Sequence, residues 1–345
     1  IFICWPESVR WSARNETRRS SLMSLDEEDT VDDLLAISAN DPVDVKSVTE
    51  DAVEISAVTH RGRVRNNNED QYAVVRRTRS GVVLASSLPS SELTHEDRTA
   101  WLICVADGLG GEVSGEVASA TAVKAILEFA SEMSSWVMQP AENLELDIQK
   151  RVALYSQAIK RDLRDKASEN AELDGMATTL TAAYIYGDSA VVVNVGDSRS
   201  YLVGSDGLRQ ITRDHTVAQD LLDAGVPVES TRAYGNVLTR CFGTDGDPVP
   251  VDVFHVKLNV GDWLLLCSDG LSDLVIDDDI AAVIAGSKST ADACETLVSA
   301  ALLAGGRDNI TVVLARMLES MRPHPLGDLH AGIDSKTDSG AVTKV

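Results

Sequence analysis

Three apolar runs in this chain each end on an aspartate beside glycine or serine, and this arrangement restricts the fold more than any other feature. Residues 101–106 lead into Asp107-Gly108, residues 191–195 into Gly196-Asp197-Ser198, and residues 263–267 into Ser268-Asp269-Gly270. Short runs rich in Val, Ile, Leu and Trp, bounded by turn residues, read as buried strands. Strands are stiff, so acids fixed at their ends can be aimed at one point. Another acid pair, Glu69-Asp70, follows Arg65 and three asparagines, and Asp308-Asn309 precedes the apolar run 310–314. Carboxylates gathered without matching cationic side chains repel one another. Hard divalent cations, which take oxygen ligands, suit such a cluster. The reading is a metal site assembled from segments spread over the whole chain.

The 345 residues, 44% of them hydrophobic, suffice for one large sandwich with a substantial core. A formal charge of −23 repels phosphate backbones and anionic bilayers, so neither nucleic acid nor membrane is an expected partner. Phosphorylated proteins stay open as substrates, because a local arginine and metal ions can outweigh the mean field. The five cysteines (Cys4, Cys104, Cys241, Cys267, Cys294) are odd in number and form no Cys-x-x-Cys pair. Cys104 and Cys267 fall inside apolar runs, where a thiol acts as a small hydrophobe. A reducing, cytoplasmic setting is expected. No apolar stretch reaches the roughly 18–20 residues that span a bilayer. Residues 1–5 are apolar but end at Pro6 without a basic flank, unlike a signal peptide.

Residues 1–50 are expected to be a disordered acidic leader, with Met23, just ahead of an acidic run, as a candidate true start. Residues 51–318 are expected to form the folded domain and 319–345 a flexible tail. Within the domain, strands are expected at 72–76 and 101–106, with a polar insertion near 86–99 between them. Apolar spacing predicts helices over 116–137 and 144–167. Closely spaced strands follow near 178–186, 190–196, 199–203 and 208–212, too close for parallel crossovers and therefore antiparallel. A short helix (216–224), strands at 250–257 and 262–268, helices near 277–285 and 290–304, and a last strand complete the pattern. There is no internal repeat and no second core.

Taken singly, the motifs are ambiguous. Asp107-Gly108-Leu-Gly-Gly111 is either a tight strand-to-helix turn or a loop whose glycines let backbone approach a ligand. It lacks the Lys-Ser/Thr of a nucleotide loop. Gly196-Asp197-Ser198-Arg199 read alone is a hairpin turn, and residues 268–273 and 306–309 read alone are loops. Arg65 ahead of Glu69-Asp70 is either an exposed polar turn or a planar fork for phosphate. Taken in order, with Gly175-Met-Ala-Thr-Thr179, Asp214-His215 and Leu238-Thr-Arg240 followed by Gly243, they resemble the metal-dependent type 2C (PPM) protein serine/threonine phosphatases. The bacterial branch is the nearer likeness, and it covers about residues 55–317.

The resemblance implies an α+β fold: a four-layer α-β-β-α sandwich, two packed antiparallel β-sheets flanked by pairs of helices. It makes 51–318 a phosphatase catalytic domain using two Mn²⁺ or Mg²⁺ ions, with a third in bacterial relatives. Asp107 would bridge the two ions, the Gly108 carbonyl would bind one, and Asp269 and Asp308 would complete the other. Glu69 and Asp70 would hold metal-bound waters, and Asp197 with Asp269 or Asp273 would form the third-ion site. Arg65 would clamp the substrate phosphate, and Thr178 and Thr179 would position the core beneath. The implied reaction is hydrolysis of phosphoserine and phosphothreonine by a metal-activated water, reversing a Ser/Thr protein kinase. A phosphatase of an anti-anti-sigma regulator is the alternative within the same chemistry. A catalytically silent pseudophosphatase is a further one, opposed by the presence of Asp107, Asp269 and Asp308. Two positions depart from the family pattern. Leu109 stands where some members carry a proton-donating histidine, so a proton would come from metal-bound water. Ala177 replaces a usual glycine. His215 is expected to serve structure.

Overall fold

The computed structural model describes residues 44–50, 52–79, 98–133, 144–243 and 249–319. Along the chain run β1 (Lys46–Glu50), β2 (Val53–His60), β3 (Gln71–Arg79), β4 (Arg98–Ala106), β5 (Gly108–Leu109), α1 (Glu112–Met133), α2 (Leu144–Glu169), β6 (Ala177–Thr178), β7 (Leu180–Tyr186), β8 (Ser189–Val195), β9 (Arg199–Gly204) and β10 (Gly207–Gln210). Then come α3 (Val217–Asp223), α4 (Val228–Thr231), β11 (Phe242–Gly243), β12 (Asp252–Lys257), β13 (Trp263–Cys267), α5 (Asp269–Ser272), α6 (Asp277–Gly286), α7 (Thr290–Leu303) and β14 (Ile310–Met317).

Two large antiparallel sheets result. One has the order β1-β2-β14-β13-β9-β10, the other β12-β8-β7-β4-β3. The period-2 alternation of strands explains how they stack. In β4, Trp101, Ile103 and Val105 face the opposite sheet, while Leu102, Cys104 and Ala106 face α1 and α2. In β13, Leu264 and Leu266 enter the inter-sheet core, while Leu265 and Cys267 pack beneath α7. Three apolar layers are thus sealed between four layers of structure, as the resemblance implied. On the helices, Ala118, Ala122, Ile126 and Phe129 form the buried stripe of α1, and Ala293, Leu297, Val298 and Ala301 that of α7. Ser289 caps α7 by accepting the Asp292 N–H at 3.2 Å.

The structure adds elements to the sequence reading. β1 falls inside the span read as leader, so the boundary at 51 moves back to at least Lys46. Its signal was weak because it is a solvent-facing edge strand whose Val48 is 41% exposed. It is held by its register with β2, Lys46 opposite Ala57 through Glu50 opposite Val53. β2 itself escaped notice although it pairs along its whole length with β14. α1 begins at Glu112, four residues earlier than expected, since Ser114 Oγ donates back to the carbonyls of Gly110 (2.6 Å) and Gly111 (3.2 Å). That bonding carries the helix through Gly115. A third, small sheet, β11-β6-β5, was not foreseen. The proposed start at Met23, the leader as far as 43, most of the polar insertion and the tail from 320 lie outside the described residues.

Candidate active site

The acids singled out in the sequence lie at one end of the seam between the sheets. Asp70 enters β3, Asp107 leaves β4 and Asp197 leaves β8, all from one sheet. Asp269 leaves β13 and Asp308 enters β14, both from the other. Apolar strands on either side hold the backbone, and hydroxyl groups fix the ends.

Asp107 is pinned on both backbone atoms. Its N–H donates to Thr179 Oγ1 at 3.0 Å. Its carbonyl accepts from Thr178 Oγ1 at 2.9 Å and from the Thr179 N–H at 2.9 Å. The expected positioning role of this threonine pair is therefore seen in hydrogen bonds. Thr179 Oγ1 also meets Ser198 Oγ at 2.8 Å, tying Asp107 to the Gly196-Asp197-Ser198 turn. That turn depends on Gly196, whose φ of 109° lies in the region that favours glycine. The Gly196 N–H donates to Nδ1 of the buried His215 at 3.1 Å, and the ring's other nitrogen meets Asp252 Oδ2 at 3.1 Å. With Nδ1 accepting, Nε2 carries the proton and donates to Asp252. Burial lowers the His215 pKa, against the raising effect of Asp252. His215 therefore works as a neutral brace, the structural role expected. Ala177 fits without strain: it pairs with Leu109 on one side and Gly243 on the other in the small sheet.

Asp70 is buried, and one of its oxygens, Oδ2, accepts from Ser268 Oγ at 2.7 Å, just past the end of β13, and from Thr311 Oγ1 at 2.6 Å in β14 of the opposite sheet. The other oxygen, Oδ1, is buried with no hydrogen-bond partner among the described residues, and so is Asp269 Oδ1. Glu69 is set by its backbone, its N–H donating to Asn309 Oδ1 at 2.8 Å. The Asn309 amide donates in turn to the carbonyls of Arg61 (3.0 Å) and Asn67 (2.8 Å), so one side chain organises the whole loop before β3. Sequence reasoning quoted Asn309 but missed this work, as it missed Ser268 and Thr311. Only the pairing of a buried acid with a hydroxyl at a strand end hints at those two. Arg65 and Asp308 meet as an ion pair, Nη2 to Oδ2 at 2.6 Å, with Arg65 53% exposed at the rim. Asp273 closes the first turn after Asp269, its N–H donating to the Asp269 carbonyl at 2.8 Å.

Gly108 is required by packing: a Cβ there would overlap the carbonyl oxygen of Gly115 and crowd that of Glu69. A Cβ on Gly115 would overlap the Glu69 carboxylate, so Glu69 lies against the start of α1.

Electrostatics is the most telling property of the cluster. Burial pushes the Asp70 carboxyl up to about 6, against the lowering effect of its two hydroxyl donors. Burial, then the Asp214 charge, raises Asp197 to about 7. Burial drives Asp107 and Asp269 well above the ordinary carboxylate range, and each is raised further by the other acids of the site. Among the described residues, no three His, Cys, Asp or Glu side chains close around a single point. Orphaned buried carboxylate oxygens, an all-oxygen donor set and uncompensated negative charge fit hard divalent cations. The Gly108-Gly115 contact, which admits no side chain, suits a backbone carbonyl offered beside them.

Fold and site together define a two-sheet sandwich with an acidic, cation-seeking centre and an arginine at its rim. A family model for protein phosphatase 2C matches residues 90–304. The serine/threonine phosphatase Stp of Listeria innocua is 33% identical over 259 residues, 74% of this chain and 92% of that one. The crystal structure of the Mycobacterium tuberculosis serine/threonine phosphatase PstP/Ppp superposes with a TM-score of 0.60 at 30% identity, covering 77% of this chain and 99% of the other. A catalytic domain of PstP in complex with two manganese ions is similar, with a TM-score of 0.59, 30% identity and the same coverage. The chain belongs to the protein phosphatase 2C family.

Proposed function

We propose that this protein is a serine/threonine protein phosphatase in which Asp107, the Gly108 carbonyl, Asp269 and Asp308 hold two divalent ions, Mn²⁺ or Mg²⁺. Asp197 with Asp269 or Asp273 would hold a third, and Glu69 and Asp70 would orient water around them. The observation that carries this reading is a set of buried and half-buried aspartates delivered from the ends of both sheets, with buried, partnerless oxygens on Asp70 and Asp269 among the described residues. When bound, the ions supply acidified water and neutralise charge on the phosphoryl group.

The chain's own residues do the rest. Arg65 has five N–H donors in a planar fork, so it can keep Asp308 with one edge and present the other to the phosphoryl oxygens. Thr178, Thr179 and Ser198 hold Asp107 and Asp197 in place, and Ser268 with Thr311 fixes Asp70. Leu109 offers no proton, so the departing serine or threonine oxygen takes one from water. Among the described residues the cysteines are unsuited to attack: Cys104, Cys267 and Cys294 are buried free thiols, Cys241 is a half-buried one, and burial raises the pKa of each. These thiols support a reducing, cytoplasmic setting, and among the described residues no helix is long and apolar enough to cross a membrane. The substrates are phosphorylated proteins, and a Ser/Thr protein kinase is the natural counterpart. The relatives' names favour this reading over an anti-anti-sigma regulator as dedicated substrate.

The test is phosphate release from a phosphothreonine peptide. Turnover should need Mn²⁺ or Mg²⁺ and stop on chelation. Absence of release with either ion, from correctly folded protein, rejects the reading.

A further inference from the structure

The loop at 61–68 and the loop at 304–308 are fastened to each other beside the site. The Arg63 N–H donates to the Gly306 carbonyl at 2.7 Å, and Asn309 reaches across to the Arg61 and Asn67 carbonyls. A Cβ on Gly62 would overlap the Asp308 carbonyl, which shows how tightly the two backbones meet. These loops carry four arginines, Arg61, Arg63, Arg65 and Arg307, all exposed. Arg65 is paired with Asp308. Arg61, Arg63 and Arg307 have no carboxylate partner among the described residues. In a chain of net charge −23, three such guanidinium groups thus fall on the two loops that also carry Arg65 and Asp308 of the proposed phosphate site.

We propose that Arg61, Arg63 and Arg307 form a subsite for a second negative group on the substrate. It selects phosphoproteins that carry acidic side chains, or another phosphate, next to the scissile phosphoserine or phosphothreonine. Guanidinium groups pair with carboxylate and phosphate alike through two parallel N–H donors. The backbone seam sets where the three side chains leave the loops relative to Arg65, so they reach anions close to the scissile phosphate. Exposed charge pairs contribute little one at a time. Three acting together give a selectivity of about ten-fold, screened by salt.

This rests on the phosphatase reading, and the experiment separates the two. Three phosphothreonine peptides of equal length, flanked by glutamines, by glutamates or by one further phosphoserine, are compared by kcat/KM with Mn²⁺ present. The glutamate or phosphoserine peptide should exceed the glutamine peptide by about ten-fold at low salt, and the ratio should shrink as ionic strength rises. Acceleration by both flanks marks a general anion subsite, and acceleration by the phosphoserine flank alone marks a phosphate subsite. In the triple variant Arg61→Gln, Arg63→Gln, Arg307→Gln the ratio should fall towards one. Hydrolysis of all three peptides at equal rates by the unaltered protein, or an undiminished ratio in the triple variant, overturns the subsite while leaving the phosphatase intact. No hydrolysis of any peptide overturns both.

Discussion

Asp269 shows at the scale of one residue what the site asks of its surroundings. One of its oxygens is buried without a partner among the described residues, and the charges of Asp197, Asp273 and Asp308 stand around it. An ionised carboxylate placed so is costly to the metal-free fold. Asp269→Asn keeps the shape and removes the charge. Two opposite effects should follow. Turnover of a phosphopeptide should drop about 1,000-fold, corresponding to ~4 kcal/mol of transition-state stabilisation. The melting temperature in the presence of chelator should rise rather than fall. A variant that loses activity and also melts lower with chelator would show that Asp269 holds the fold and not a cation. The aspartates were legible as residues because each interrupts an apolar run. Their partners were not: Ser268, just past β13, and Thr311, inside β14, show no role until the two sheets meet, and Asn309 organises a loop some 240 positions away.

At the scale of elements, two glycines separate fold from chemistry. Gly108, the first residue of β5, lies against backbone that cannot yield, the carbonyl of Gly115. Gly108→Ala should therefore destabilise the protein by ~2–4 kcal/mol, lowering its melting temperature with and without Mn²⁺. At Gly115 the overlap falls mainly on the Glu69 carboxylate, the mobile end of a side chain. Gly115→Ala should leave thermal stability much closer to that of the unaltered protein while reducing phosphopeptide turnover. Equal thermal losses in the two variants would remove this distinction. Most strands and helices were visible in the sequence because their faces alternate or repeat cleanly, as in β4 and α7. β1 was hidden because an edge strand buries little. β5, β6 and β11 were hidden because two-residue strands have no period, and their pairing follows from the chain path.

For the whole molecule, acid titration and ion binding should be linked. Asp70 and Asp197 take up protons at about 6 and about 7 in the fold, against an ordinary value of 3.8. Between these limits the folded chain holds more protons than the unfolded one, so stability falls as pH rises through about 4 to 7 and stays low above. In chelator, the melting temperature should drop by several degrees from pH 5 to pH 8, since ~1 kcal/mol shifts a domain of this size by about 2–4 °C. Saturating Mn²⁺ should flatten or reverse that slope. Calorimetry at the two pH values decides it, and a slope indifferent to Mn²⁺ would separate these acids from any ion.

β14 lies in the middle of its sheet, between β2 and β13, and Asp308 stands at its threshold. A ribosome must therefore deliver the chain through Met317 before that sheet can close, and the contacts made last join segments some 250 positions apart. Such distant pairings are slow to form. A copy terminated before Ile310 should leave β2 and β13 without the strand that joins them, an open slot lined by apolar side chains.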